Sequence, residues 1–334
     1  STYGTNDAFN LSSNPNSSKT IYLDFNGADL TNTVWSVSSL PAFSLDNDFT
    51  NFSTAERLAI IEIWKRVSAD YAPWDVNITT KEPDASALSR SSSSDTTYGT
   101  TALITSDTPS SFYSGAGGVA YLGVFNSTSD YLKPALTFAD RLGNNSKSIA
   151  EATSHEIGHN LNLYHDGVSG GSSYYMGTSG IDWAPIMGAG YYKGRTTFGK
   201  TGDYTNANNS ENDFAKIANE GLSWWDASAE ADNSSSGATN LSFNITTNSS
   251  NDTAVYSSSI DLTAAGGEGT PDIDFYAFDA VAGSEYSFDV TNALISSIGV
   301  SNQVDRLENW EGNLLSLIKL YDSNLNLLQT SQTR

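Results

Sequence analysis

Cysteine is absent from the 334 residues, methionine occurs twice and histidine three times. Without cysteine there is no disulfide framework, no thiolate metal site and no cysteine nucleophile, so any tightly held transition metal must rely on those few imidazoles for nitrogen ligands. Basic residues are also scarce, 16 Lys and Arg against 38 Asp and Glu, which leaves a formal charge of −22 and a pI of about 4.2. Charge of that sign repels nucleic acid and anionic membrane, and suits solubility in salt and divalent cations. Neither nucleic acid nor membrane is therefore expected as a partner, and a monomer is the default. No run approaches the ~20 apolar residues of a membrane span, and the N-terminal STYGTNDAFN lacks a signal-peptide core.

What the chain does have is concentrated. All three histidines lie in residues 155–165, HEIGHNLNLYH. On a helix His155 and His159 stand one above the other on the same face, where two imidazoles can reach one ion, and Glu156 sits beside the first. The pattern H-E-x-x-H is that of zinc peptidases: two histidines hold the metal and the glutamate works on bound water. A continuous helix would carry His165 roughly 15 Å from His155, far beyond a Zn–N bond of about 2 Å. The helix must stop and double back between His159 and His165. Such a reversal needs positive φ, and position 162 is Asn, the side chain that best tolerates it. A serine nucleophile has no support, since no fourth histidine exists to serve a triad.

His155, Glu156, His159 and His165, with Asp166 after them, resemble the extended motif of the metzincin peptidases, adamalysin or reprolysin branch, with Asn162 in place of the usual glycine. The resemblance implies one catalytic zinc held by His155, His159 and His165, with Glu156 as general base and Asn162 and Asp166 behind the ligands. It implies a methionine in a tight turn beneath the metal, which Met187 in Pro-Ile-Met-Gly fits. It implies an edge strand that pairs with extended substrate, here Val119, Ala120, Tyr121, Leu122 and Gly123. Residues 188–200 would wall the pocket beyond the cut. Tyr191 and Tyr192 are expected to pack rather than to reach the reaction centre.

The order of elements agrees. Ile21, Leu23 and Phe25 alternate through KTIYLDFNG as in a strand. The box Ser53-x-x-Glu56 opens a helix that Leu58, Ile61, Val67 and Tyr71 continue until Pro73. VNITT (76–80), TALIT (101–105), GGVAYLGVF (117–125) and PALTFA (134–139) read as further strands, with a surface loop at 83–100. Ser146 or Ser148 would cap the zinc helix, and Ser210 to Asp213 a last one. The expected fold is therefore α+β: a metzincin-type catalytic domain over 1–226, with a twisted five-stranded mixed sheet and a zinc-binding helix. The stretch 203–213, DYTNANNSEND, is rich in oxygen ligands and is a candidate calcium site or a capped turn; it lacks EF-hand spacing.

From 227 the composition changes to a polar linker, to about 245, followed by short alternating strands over 246–334. DIDFYAFDAVAGSEYSFDV with LIKLYDSNLNLL resembles the bacterial pre-peptidase C-terminal module, an all-β sandwich, here expected to be partial because the chain stops before it would close. The functional expectation is a secreted, extracellular bacterial zinc endopeptidase acting on proteins or peptides. The alternative is a secreted calcium- or carbohydrate-binding module with a structural zinc, for which Asp166 would have to supply the fourth ligand. A downstream glutamate as third ligand is disfavoured by His165.

Overall fold

The structure is a computed structural model, and it describes residues 3–106, 108, 112–224, 235–241, 275–280, 282 and 317–332. Its centre is a five-stranded sheet in the order β2-β1-β3-β5-β4, built from β1 (Lys19–Asp24), β2 (Asn77–Thr79), β3 (Tyr98–Thr105), β4 (Gly118–Val119) and β5 (Ala135–Phe138). Four strands run parallel, and β4 runs antiparallel at the edge, with Val119 opposite Leu136. Alternate side chains leave a strand on opposite faces. Ile21, Leu23, Ala102 and Ile104 accordingly join one cluster with the helices, while Leu103, Leu136 and Phe138 join a second with Leu30, Trp35 and Leu40 from the loop that covers the other face. Apolar cover on both faces explains why the parallel strands carry so few exposed positions.

Helix α1 (Thr54–Asp70) opens at the box read from the sequence: Ser53 Oγ accepts from Glu56 N, and Glu56 Oε2 accepts from Ser53 N at 2.6 Å. Every residue from Ala59 to Asp70 is buried. Arg66 lies there against Glu62 at 3.1 Å, and Trp64 Nε1 donates to Ile78 O of β2 at 2.8 Å. Helix α2 (Ser146–Asn160) packs against α1 and the sheet, with Ile149 and Ile157 in the same cluster as Ile60, Trp64 and Val67. Among the described residues no helix is long and apolar enough to cross a membrane.

Three local readings need correction. The cap of α2 is Asn145, whose side chain accepts from Ser148 N at 3.1 Å, so Ser148 is the donor of that bond and Ser146 is already helical. Strand β3 starts at Tyr98, inside the stretch expected as loop. The strand expected over 117–125 is only Gly118–Val119, because the chain leaves the sheet at Ala120 and turns at Gly123, φ 65°. Beyond α2 come β6 (Trp183–Pro185) and β7 (Arg195–Thr197), paired in parallel, and α3 (Asp213–Asn219), capped by Asn212. Among the described residues past 224 there are two small pairs: β8 (Thr239–Asn240) with β9 (Tyr276–Ala277), and the hairpin β10 (Leu317–Tyr321) with β11 (Leu327–Gln332). Most of the expected linker and sandwich, including FNITT, SSSIDL and SEYSFDV, lies outside the described residues.

Candidate metal centre

Helix α2 is fixed on either side of its two histidines. One residue before His155, Ser154 Oγ donates to Asp70 Oδ2 at 2.6 Å and Ser154 O accepts from Tyr71 OH at 2.9 Å, which locks α2 to the end of α1. At the other end Asn160 is wholly buried; its Oδ1 accepts from Thr100 Oγ1 at 2.7 Å and its Nδ2 donates to Tyr121 O at 3.1 Å. The chain then reverses. Asn162 takes φ 68°, its N–H bonds His159 O at 2.8 Å, and Leu163 N–H bonds Gly158 O at 3.0 Å. Those two bonds make a Schellman helix end, in which a left-handed residue turns the chain back across the last turn. Asparagine does more here than a glycine would, because its Nδ2 donates to Glu220 Oε1 just past α3 at 2.8 Å.

The reversal gathers the three imidazoles. Ring centroids lie 4.7 Å apart for His155 and His159, 4.8 Å for His159 and His165, and 5.1 Å for His155 and His165. One nitrogen from each falls within 4.8 Å of the others. His155 Nδ1 lies 2.8 Å from Ile186 O, and His159 Nδ1 lies 2.7 Å from Leu163 O. A carbonyl can only accept, so both Nδ1 atoms carry the proton and both Nε2 atoms present bare lone pairs. His159 Nε2 and His165 Nε2 approach to 3.0 Å. Nitrogens bound to one tetrahedral zinc at about 2.0–2.1 Å would stand roughly 3.3 Å apart. The donor set, its spacing and its tautomers therefore fit a zinc ion. Burial, first, and the neighbouring histidines hold His155 well below the ordinary range; burial takes His159 down to about 4 and lowers His165 too. All three are neutral near pH 7, the form that ligates.

Met187 is fully buried, in a turn closed by Gly188 N to Pro185 O at 3.0 Å. This turn supplies the carbonyl that orients His155, and Met187 O accepts from Asp166 N at 2.9 Å. Helix α2 comes so close that a Cβ added at Gly158 would stand 2.6 Å from Met187 Sδ. Glu156 is buried beside β4: a Cβ at Gly118 would fall 2.6 Å from Glu156 Cγ. Burial pushes the Glu156 carboxyl up to about 8.

Residues 50–166 match the family model of the reprolysin-like metallo-peptidases of family M12B. The match spans about a third of the chain and stops one residue after His165. Comparison with curated proteins finds no significant match. The matched segment and the histidine trio together support a reprolysin-like zinc metallopeptidase acting on protein or peptide substrates.

The other expected site residues are spread more widely. Of Val119 to Gly123, only Val119 lies in an edge strand; Tyr121 turns its ring onto Trp35 at 5.2 Å, Leu122 is exposed, and Gly123 N bonds His159 O at 3.0 Å. Asp166 is buried, its carboxyl against Gly199 with Asn209 and Asp213 as side-chain partners. Burial first, then the Glu211 charge, raises Asp166 to about 6, and burial first, then the Asp166 charge, raises Asp213 to about 8. Tyr191 is partly buried, whereas Tyr192 is 95% exposed and does not pack as expected. In 203–213 the oxygens serve main-chain donors: Asp203 accepts from Lys200 N, Asn208 from Gly167 N and Glu211 from Tyr164 N. Among the described residues the only cluster of three or more His, Asp or Glu groups that could hold an ion is the histidine trio. Two residues were missed in the sequence. Gly118 was hidden in a glycine pair read as a strand start, and Tyr174, whose ring centroid lies 4.4 Å from that of His165, carries no motif.

Proposed function

We propose that the protein is a secreted zinc endopeptidase that cleaves proteins by water attack on the peptide carbonyl, with Glu156 as the general base and Met187 as the floor of the metal site. The observation that carries this reading is the cup of three neutral imidazoles that no carboxylate joins among the described residues. Structural zinc sites have four protein ligands, whereas catalytic ones have three and leave a position open. The rival reading, a binding module with structural zinc, needs Asp166 as the fourth ligand, and its carboxyl lies instead against Gly199 and Asp213.

A zinc ion, when bound, supplies the Lewis acidity that acidifies water and polarises the carbonyl. The chain's own residues supply the rest. Glu156 prefers its neutral form when buried alone, up to about 8, and a positive charge in the cup favours the ionised form. Its carboxylate then takes a proton from the attacking water and delivers it to the leaving amine. Gly118 keeps that carboxylate close, since any side chain there would displace it. The outer edge of β4 at Gly118–Val119 offers main-chain groups for an extended substrate, over two residues rather than five.

Purified protein should contain one zinc per chain and cleave casein, with cleavage abolished by phenanthroline and restored by added zinc. Stoichiometric zinc without cleavage would favour the binding module, and chelator-resistant cleavage would remove the metal from the reaction. An extracellular location rests on the acidic, Asn- and Ser-rich composition, and an immunoblot confined to the cell pellet would refute it.

A further inference from the structure

The segment after His165 carries an aromatic side chain over the metal cup that the reaction as described does not use. The ring centroid of Tyr174 lies 4.4 Å from that of His165 and 6.0 Å from that of His155. Its main chain is anchored rather than loose. Tyr175 N donates to Asp166 O at 2.7 Å, Tyr175 O accepts from Ala189 N at 3.0 Å, and Ser172 Oγ donates to Tyr174 O at 2.9 Å. Tyr175 turns its ring the other way, stacked on Tyr204 at 4.0 Å and 8°. The two tyrosines thus form a peg and a pointer, with Tyr174 aimed at the imidazoles.

Packing alone does not account for that placement, because Tyr174 remains 42% exposed while its ring lies against those of His155 and His165. Resting on the peptidase reading above, we propose that Tyr174 is a catalytic residue, its hydroxyl donating a hydrogen bond to the oxyanion that forms when water adds to the scissile carbonyl. The proton stays on the phenol; the bond strengthens as charge develops on the substrate oxygen, which is the condition for lowering the barrier rather than improving substrate binding.

The test is Tyr174→Phe, which keeps the ring on His165 and removes only the hydroxyl. Loss of one such donor lowers kcat by roughly 100-fold or more, with KM little changed. The same variant should bind a phosphinic pseudopeptide, whose tetrahedral phosphorus mimics the oxyanion, more weakly by about the same factor in calorimetry, with zinc content and melting temperature unaltered. Wild-type kcat and phosphinate affinity in Tyr174→Phe would overturn the assignment, and so would a raised KM at constant kcat, which would make the phenol a substrate-binding group. A wild-type protein that holds zinc but binds no phosphinic peptide and cleaves nothing would overturn the peptidase reading, and this assignment with it.

Discussion

The metal cup joins two unlike halves. His155, Glu156 and His159 stand on a regular helix that is buried, capped and bonded to α1 and β3, whereas His165, Tyr174 and Met187 come from a stretch whose shape is set by turns and side-chain-to-backbone bonds. In the first half, geometry follows from helix periodicity, and a substitution acts through packing. In the second, each position depends on a particular polar contact, such as Asn209 Nδ2 to His165 O at 2.9 Å or Tyr204 OH to Gly167 O at 3.0 Å. Reactive groups placed by a helix tolerate little change in size, and those placed by loops tolerate little change in hydrogen bonding.

Five substitutions at four positions break or sharpen this contrast. Glu156→Gln, on the helix, should lower turnover by about 10²–10⁴-fold while zinc remains bound; a near-normal rate would take the proton-transfer role away from Glu156. Gly158→Ala tests packing in the same half. Helix propensity alone would make it more stable by about 1 kcal/mol, but the added carbon 2.6 Å from Met187 Sδ should reverse the sign through an overpacking cost of about 1–3 kcal/mol. A denaturant melt showing net stabilisation would mean that Met187 has room to move.

In the loop half, Asp213→Asn tests the buried acids. Both Asp166 and Asp213 hold their protons to higher pH in the folded chain than an ordinary aspartate does, so their contribution to stability falls as pH rises from about 4 to about 8. The variant should therefore gain on the wild type as pH rises through that window, read from thermal melts of chelated protein at pH 5 and 8. An advantage that shrinks with pH would contradict the buried-charge account. Asn162→Gly has the smallest expected effect. Relief at positive φ and loss of the Glu220 bond oppose each other, leaving it within about 1 kcal/mol of wild type. Asn162→Val loses the bond and adds a branched side chain at positive φ, so it should be worse than Gly by roughly 1–2 kcal/mol. Equal melting of the two would show that the turn does not set the cost.

What could be read from the sequence divides along the same line. The capping box at Ser53 and the histidine cluster follow from fixed spacings; spacing alone indicates α plus β, and the five-stranded mixed sheet is what the metzincin resemblance implies. The reading failed where tertiary contacts outweigh pattern. Residues 120–124 look like strand, yet Asn160 and His159 capture their backbone groups and pull them off the sheet edge. Asn145 outcompetes two serines as a cap although all three lie within four residues, a choice that sequence spacing leaves open. Tyr174 has no recognisable offset because its place depends on Asp166 and Ala189, which lie on either side of it in the chain.

Glu220 has an effect that reaches past its own helix end. By holding Asn162 with one oxygen and Asn126 with the other, it fastens the bend that returns His165 to the segment following α3. An ion gripped by all three rings would stitch residue 155 to residue 220 through that one carboxylate. Stripping the metal should then loosen the stretch from 162 to 213 ahead of the sheet, and an intact copy of the enzyme would make its first nick in a stripped neighbour there.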